Sequence, residues 1–227
     1  MKIKKYVINL DRRPDRMDEF KNRYQKNDFE RFSAVDGLQK VLNKDLNSFE
    51  ERIMSLLRRD PKRDAGVFGV WMSHFYLWQE LAESERDAYV IFEDDAFFVD
   101  DFHEKFNEVL NQVTPEMDIV YFGGRFDKNF VPSDMKTNWE KYKNFYAPIK
   151  HKPGIDMDRT FHAYIITKNG AKNLVDRVVS YDDNKILRPI DWYLNDIRKE
   201  IVSLDYFPHI AWSPLNYKSD IQNVRPI

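Results

Sequence analysis

The chain has 227 residues, of which 42% are hydrophobic and none is cysteine, and its formal net charge is −2. This composition predicts a single globular domain that lacks disulfides, zinc–thiolate sites and cysteine nucleophiles. Basic and acidic residues are mixed without a basic stripe, so we expect a protein that does not bind nucleic acid. No window approaches the roughly 18 apolar residues of a membrane span, and residues 1–10 are too short an apolar run for a signal peptide. We therefore expect a cytoplasmic protein.

Strand patterns alternate with helix patterns, which predicts an α/β fold built on a largely parallel, doubly wound sheet. In chain order we predict a strand at 5–9, a turn at 11–16 leading into a helix, a strand at 29–34, helices at 45–59 and 66–82, a strand at 88–92, a helix at 101–112, strands at 118–122 and 161–167, a helix at 170–179, a helix that opens at 189–191, and a strand at 204–207.

The segment 66–82 is apolar almost all round, so we predict that this helix is buried. Gly66, Gly69 and Ser73 recur at spacings of three and four, and such a stripe of small residues lets another backbone or a ligand approach closely. His74 follows Ser73 inside this apolar context. A buried histidine in such a place is either a satisfied core residue or part of a ligand site, and the pattern leaves both interpretations open.

The strongest chemical signal is the acidic triplet Glu93-Asp94-Asp95, which directly follows a buried strand. Ligands bind at the carboxyl ends of strands in open α/β sheets. Side chains alternate along an extended chain, so Glu93 and Asp95 are expected to point one way, about 7 Å apart, and Asp94 the other. Two such carboxylates suit a divalent cation beside a ribose or phosphate. The alternative is a hydrated acidic strand end.

The turn after the first strand carries arginines at a helix start. Arg13 and Arg16 suit phosphate oxygens, helped by the helix N-terminus. The alternative is an ordinary pattern of Asp–Arg pairs on a surface helix.

Two later residues are candidates with structural alternatives. Asp191 follows Pro189 at a helix start, where it is either an N-cap or a general base for an acceptor hydroxyl. His209 is either a histidine at a strand end or a third metal ligand. Between residues 125 and 158 lies a long stretch without clear periodicity, whose aromatic side chains either stack on sugar rings or form a satellite hydrophobic cluster: Phe126, Phe130, Trp139, Tyr142, Phe145 and Tyr146.

Taken in order, these segments resemble glycosyltransferase family 25, the group of lipooligosaccharide and collagen β-galactosyltransferases. The resemblance spans nearly the whole chain, and its matching pieces are Ile8-Asn9-Leu10 with Arg13 and Arg16, Phe32-Ser33-Ala34-Val35-Asp36-Gly37, Gly66 and Gly69 before Ser73-His74, Glu93-Asp94-Asp95, Ala163-Tyr164 with Gly170-Ala171, Pro189-Ile190-Asp191, and Ser219-Asp220-Ile221.

The resemblance implies a GT-A-like fold and an inverting, metal-dependent transfer of a hexose, galactose ahead of glucose, from a UDP-sugar. The acceptor is a hydroxyl on a glycan, a lipid-linked sugar or a protein. Residues 1–124 would form the nucleotide-sugar part of one domain and 125–227 the acceptor side. Mn²⁺ or Mg²⁺ is the implied cofactor, which Glu93 and Asp94 would help to bind, and the implied metal ligands are Glu93, Asp95 and, by analogy with other GT-A enzymes, His209. For the donor, the resemblance implies that Asn9 and Leu10 line the uridine pocket, that Arg13 and Arg16 lie near the diphosphate, that Asp36 and Gly37 border the nucleoside, and that Ser73 and His74 border the donor side. It also implies that Asp191 is the general base.

One segment departs from the family pattern. Where the family has Gly-Glu-Ile-Gly-Cys before Ser-His, this chain has Gly66-Val67-Phe68-Gly69-Val70. The lost acidic residue bears on the identity of the donor sugar. It also leaves open the alternative that the chain is a non-catalytic protein that binds glycans or nucleotide sugars. A nucleotidyl- or phosphotransferase is a further alternative, but no Gly-x-x-x-x-Gly-Lys loop is present.

Overall fold

The computed structural model describes residues 1–57, 61–124, 131, 136, 139–148 and 161–214. The helices of these ranges are α1 (Pro14–Tyr24), α2 (Gly37–Asn43), α3 (Ser48–Leu57), α4 (Pro61–Glu83), α5 (Phe102–Leu110), α6 (Lys168–Val179) and α7 (Ile190–Ile197). The strands are β1 (Ile3–Asn9), β2 (Glu30–Ser33), β3 (Ala88–Glu93), β4 (Phe97–Phe98), β5 (Ile119–Tyr121), β6 (Gly123–Gly124), β7 (Trp139–Tyr142), β8 (Phe145–Pro148), β9 (Ala163–Thr167), β10 (Ser203–Asp205) and β11 (Ala211–Trp212).

Eight strands form the main sheet in the order β2-β1-β3-β9-β5-β10-β8-β7. β1 pairs in parallel with β2 and β3, and β5 pairs in parallel with β10. β9 lies antiparallel between β3 and β5, and β8 is antiparallel to both β10 and β7. All strands of this sheet except β8 and β9 therefore point the same way. The predicted α/β fold with a largely parallel sheet flanked by helices is confirmed.

The sheet separates two hydrophobic layers because alternate side chains of a strand point to opposite faces. On β3, Tyr89 and Ile91 join the layer under α4, while Val90 and Phe92 join the layer under α1 and α5. Burial on both faces explains why this strand reads as a continuous apolar run. Strands taken from both halves of the chain share this one sheet.

Helix α4 is buried as predicted, since its large apolar side chains pack into the first layer: Phe68, Trp71, Met72, Phe75, Leu77, Trp78 and Leu81. The stripe of small residues meets backbone. A Cβ on Gly69 would stand 2.5 Å from the carbonyl oxygen of Val35, and one on Gly37 would stand 1.9 Å from that of Ala65. The absence of side chains at both glycines thus lets α4 pack directly against the start of α2.

The aromatic stretch between residues 125 and 158 contains structure that periodicity did not predict. β7 and β8 form a hairpin whose turn includes Lys143 at φ 56°. Trp139 and Tyr146 contact the ring of Phe207, with centroids 5.1 and 6.0 Å away, and Phe145 is fully buried. Phe126 and Phe130 lie outside the described residues, as does the matching piece Ser219-Asp220-Ile221. None of the helices within the described ranges is long and apolar enough to cross a bilayer.

Candidate active site

Three strand ends meet at one edge of the main sheet. β1 and β3 are parallel, with Ile8 opposite Glu93, so both end here. β9 runs the other way, with Ala163 opposite Phe92, so it begins here. His162, one residue before β9, therefore lies next to Glu93, and its carbonyl oxygen accepts a hydrogen bond of 2.9 Å from the Glu93 amide.

Glu93, Asp95 and His162 form a compact cluster at this edge. The Nδ1 atom of His162 lies 3.0 Å from Glu93 Oε2 and 3.1 Å from Asp95 Oδ1. One ligand atom of each residue lies within 4.8 Å of the others, and all three side chains are partly buried. Two carboxylates and one imidazole at this spacing form a donor set able to hold a divalent cation.

Opposite charges dominate the electrostatics of this cluster. Burial alone would raise the pKa of Glu93, but hydrogen bonds with His162 and His74 hold it well below its usual range. Burial alone would lower the pKa of His162, but the charge of Asp95 and the hydrogen bonds to both carboxylates raise it to about 10. A protonated His162 thus compensates the two carboxylates, and a cation bound there would take over that role.

Asp94 lies in the turn after β3, and its side chain has partners outside this cluster. Its carboxylate accepts a hydrogen bond of 2.6 Å from Asn9 Nδ2 and pairs with the guanidinium of Arg16. Burial raises the pKa of Asp94 to about 6, against the lowering effects of Arg16 and Asn9. Arg16 also lies 3.7 Å from Asp95, so it compensates two members of the triplet. These contacts tie the end of β1 and the start of α1 to the end of β3.

The other residues assigned to the nucleotide lie in the same region. The Asn9 side chain accepts from Arg31 Nε at 2.9 Å and donates to the carbonyl oxygen of Arg13 at 2.9 Å. The backbone of Leu10 accepts from the Arg13 amide, and the Arg13 guanidinium pairs with Asp15 at 2.8 Å. The alternative of an Asp–Arg pair at a helix start therefore describes the contact of Arg13, whereas Arg16 reaches the acidic triplet.

Asp36 and Gly37 approach this region from β2. Asp36 caps α2 by accepting from the Gln39 amide at 3.2 Å, and it pairs with Arg12 at 2.8 Å. Ser73 holds the same loop, because its hydroxyl accepts from the Val35 amide at 2.9 Å and donates to the Gly69 carbonyl at 2.7 Å. Ser73 thus fixes the loop before Asp36, and the stripe of small residues approaches the backbone of this loop.

His74 lies between the core and the acidic cluster. It is 1% exposed, its Nδ1 lies 2.8 Å from the hydroxyl of Tyr164, and its Nε2 lies 3.3 Å from Glu93 Oε1. It is therefore both a satisfied core histidine and a direct neighbour of the candidate metal site.

Asp191 and His209 lie on parts of the chain other than the strand ends that carry the cluster. Asp191 lies in the first turn of α7 and accepts from the Trp192 amide at 3.0 Å, while the N-cap position belongs to Pro189. α7 packs beside α4 through Trp71, whose ring lies 5.2 Å from that of Tyr193. His209 stacks on Phe207 at 4.6 Å, and its role as a metal ligand stays a prediction.

No sequence pattern singled out His162 as a site residue. His162 lies inside the strand predicted at 161–167 and directly before the observed β9, but a parallel β9 would have placed it at the opposite edge. Only the antiparallel register, with Ala163 opposite Phe92, brings it to Glu93.

Comparisons with known proteins agree with the resemblance described above. The model of glycosyltransferase family 25 (LPS biosynthesis protein) matches residues 2–194. A glycosyltransferase 25 family member of Aedes aegypti is 29% identical over 133 residues, which are 52% of this chain and 20% of that protein. Procollagen galactosyltransferase 2 of Homo sapiens is 26% identical over 129 residues, again 52% of this chain and 20% of that protein.

The chain therefore spans about a fifth of the length of these relatives. A solved glycosyltransferase involved in the glycosylation of the major capsid of PBCV-1 superimposes with a TM-score of 0.46 at 7% identity, covering 96% of this chain and 95% of that one. That likeness is too weak to bear on function.

Proposed function

The chain belongs to glycosyltransferase family 25, and from this premise we propose that it transfers a hexose from a UDP-sugar to an acceptor hydroxyl, with Mn²⁺ as cofactor. The observation that carries the proposal is the cluster of Glu93, Asp95 and His162, whose ligand atoms lie within 4.8 Å of one another at the edge where β1 and β3 end. This edge is where open α/β sheets bind nucleotides.

The donor set favours Mn²⁺ over Mg²⁺. Mg²⁺ prefers oxygen ligands and retains several waters, whereas an imidazole nitrogen suits transition metals. Glu93, Asp95 and His162 would hold the ion, and when bound it supplies positive charge for the departing diphosphate. His209 remains a candidate for a further ligand.

The remaining chemistry belongs to side chains of this chain. The bond between the anomeric carbon and the diphosphate oxygen breaks, and its electron pair stays on that oxygen, which leaves with UDP. The acceptor oxygen bonds to the anomeric carbon from the opposite face, which inverts the configuration. Asp191 receives the proton of the acceptor hydroxyl as a general base. Arg16 and the N-terminus of α1 lie beside the triplet, where positive charge favours the diphosphate.

We rank galactose ahead of glucose as the sugar of the UDP-sugar donor. The procollagen galactosyltransferases among the relatives support this order, and Val67, where the family has an acidic residue, makes it worth testing directly. The acceptor is a glycan, a lipid-linked sugar or a protein hydroxyl. Within this scheme residues 1–124 serve the nucleotide sugar, and residues 125–227 serve the acceptor and also supply His162 to the metal site.

The test is a screen of UDP-galactose, UDP-glucose and other UDP-sugars with and without Mn²⁺, with released UDP measured by chromatography. We expect Mn²⁺-dependent UDP release with one preferred sugar. Turnover of nucleoside triphosphates instead would indicate a nucleotidyl- or phosphotransferase. UDP binding without turnover of any donor, with or without candidate acceptors, would overturn the enzymatic proposal in favour of a binding protein.

A further inference from the structure

A buried line of hydrogen bonds connects the core of the protein to Glu93. The indole Nε1 of Trp78 donates to the Tyr164 hydroxyl at 3.0 Å, that hydroxyl lies 2.8 Å from His74 Nδ1, and His74 Nε2 lies 3.3 Å from Glu93 Oε1. Trp78 and Tyr164 are fully buried and His74 is 1% exposed. Water therefore does not compete for these groups.

The chemistry of the partners fixes the direction of the two outer bonds in this line, and for a neutral His74 it fixes the middle bond as well. An indole N–H only donates, so the Tyr164 oxygen accepts from Trp78. An ionised carboxylate only accepts, so His74 must carry a hydrogen on Nε2 to bond to Glu93. In neutral His74 the Nδ1 atom is then the acceptor for the Tyr164 hydroxyl hydrogen. The opposite tautomer would point a bare Nε2 at the carboxylate and leave that hydroxyl hydrogen without an acceptor in the line.

The two oxygens of Glu93 consequently have different partners. Oε1 faces His74, and Oε2 faces His162 in the cation cluster. We propose that Tyr164 is a positioning residue for the metal site: by selecting the Nε2–H tautomer of His74, it fixes the rotation of the Glu93 carboxylate so that Oε2 points at the ion. This inference rests on the proposed function for the identity of the ion. Partners that orient metal ligands in this way commonly change metal affinity by about 10- to 100-fold when removed.

The first test reads the tautomer of His74 in the metal-free wild-type protein by long-range ¹H–¹⁵N NMR of the imidazole. The signal is assigned by its loss in His74→Gln. We expect the Nε2–H tautomer. An Nδ1–H tautomer would overturn the proposal, and this measurement requires neither activity nor a bound ion.

The second test compares two tyrosine-to-phenylalanine variants by titration with Mn²⁺ alone. Tyr164→Phe removes the hydroxyl that bonds to His74, and we expect about tenfold weaker Mn²⁺ binding. Tyr89→Phe is the matched control, because Tyr89 is also buried, lies on β3 itself, and donates its hydroxyl to Glu80 at 2.8 Å. It should bind Mn²⁺ like the wild type. Equal affinity in Tyr164→Phe and wild type, or equal losses in both variants, would reject the positioning role.

The third test removes the dependence on tautomer. The amide of His74→Gln donates to a carboxylate without needing a partner for a second ring nitrogen. In this background Tyr164→Phe should change Mn²⁺ affinity by less than about twofold, against about tenfold with His74 present. Equal losses in both backgrounds would show that Tyr164 acts without His74. If the wild type binds no Mn²⁺ at all, the proposed metal site is wrong, and the tautomer measurement alone decides whether the hydrogen-bonded line exists.

Discussion

Glu93 and His162 face each other across an antiparallel strand pair and are joined twice. The amide of Glu93 donates to the carbonyl oxygen of His162 at 2.9 Å, and the Nδ1 atom of His162 lies 3.0 Å from Glu93 Oε2. The backbone bond fixes the spacing between the two residues, and the side chains then meet above it. The pair places an imidazole among the acidic residues at the turn directly before β9.

Removal of this imidazole tests the metal site. We expect His162→Ala to weaken Mn²⁺ binding by more than about tenfold, because the cluster loses one of its three donors. Titration calorimetry with Mn²⁺, with and without UDP, measures the loss. His103→Ala is the matched control, since His103 bonds to the carbonyl oxygen of Tyr24 and to no carboxylate in the cluster. An unchanged affinity in His162→Ala, with a loss in His209→Ala, would transfer the ligand role to His209.

A methyl group at Gly69 tests the close approach of α4 to the loop before α2. Alanine normally stabilises a helix interior relative to glycine by about 1 kcal/mol. Here the added Cβ would lie 2.5 Å from the Val35 oxygen and 2.9 Å from the Gly37 nitrogen, so backbone must move. We expect Gly69→Ala to lower the free energy of unfolding in urea by at least about 1 kcal/mol and to weaken UDP binding through the displaced Asp36. A more stable variant with intact UDP binding would contradict this account.

The difference between what the sequence could and could not predict follows from the range of the interactions. The apolar run before Glu93 and the helical spacing of Met17, Phe20 and Tyr24 are local patterns, and the structure confirms the elements they predict. Glu93 and Asp94 have different partners, as the predicted alternation implies, although β3 ends at Glu93 and Asp94 lies in the turn that follows. Local patterns therefore identified the carboxylates of the site.

The third member of the cluster depends on strand order and direction. His162 reaches Glu93 only because β9 inserts antiparallel between β3 and β5, and no local pattern around His162 encodes that pairing. The same holds for Ser73. The sequence alone does not show that its hydroxyl accepts a hydrogen bond from the Val35 amide, because that contact depends on the folded position of Val35. The roles of single polar residues were thus the part that required the three-dimensional structure.

A buried carboxylate away from the site gives the protein a dependence of stability on pH. Glu50 is fully buried and accepts hydrogen bonds of 2.8 to 2.9 Å from Lys40, the Asn47 amide and Tyr76. Burial alone would raise the pKa of Glu50, but these bonds outweigh it and lower the pKa below its ordinary value of 4.5. The folded protein therefore binds fewer protons than the unfolded chain near that pH. The stabilisation by ionised Glu50 is present above pH 4.5 and is lost as the pH falls through the lower, folded value.

We expect Glu50→Gln to lower the free energy of unfolding at neutral pH by about 1–3 kcal/mol. The neutral glutamine amide loses the ion pair with Lys40, and its NH₂ group cannot accept the hydrogen bonds that one carboxylate oxygen accepted, so donors are left unpaired. The difference from the wild type should shrink as the pH falls below 4.5. Urea unfolding across this range measures it, with Glu51→Gln as the control because Glu51 is an exposed neighbour on α3. A difference that is constant with pH would show that the charge of Glu50 is not the source.

The last prediction concerns Asp191, whose role as a base the structure leaves as a proposal. Asp191 lies in the first turn of α7, and α7 packs against α4 at Trp71, which lies one helical turn before His74. Asp191→Asn keeps the size of the side chain and removes its ability to take a proton. If Asp191 is the base, kcat for transfer should fall by about 10²- to 10⁴-fold while the affinity for UDP and Mn²⁺ stays within about twofold of the wild type. Asp196→Asn is the control on the same helix, since Asp196 pairs with Arg188 at 2.8 Å.

Because a base acts on the acceptor, slow metal-dependent hydrolysis of the donor by water should persist in Asp191→Asn. Transfer at the wild-type rate would assign the proton to another group, and loss of UDP binding would mean that Asp191 supports the donor site instead.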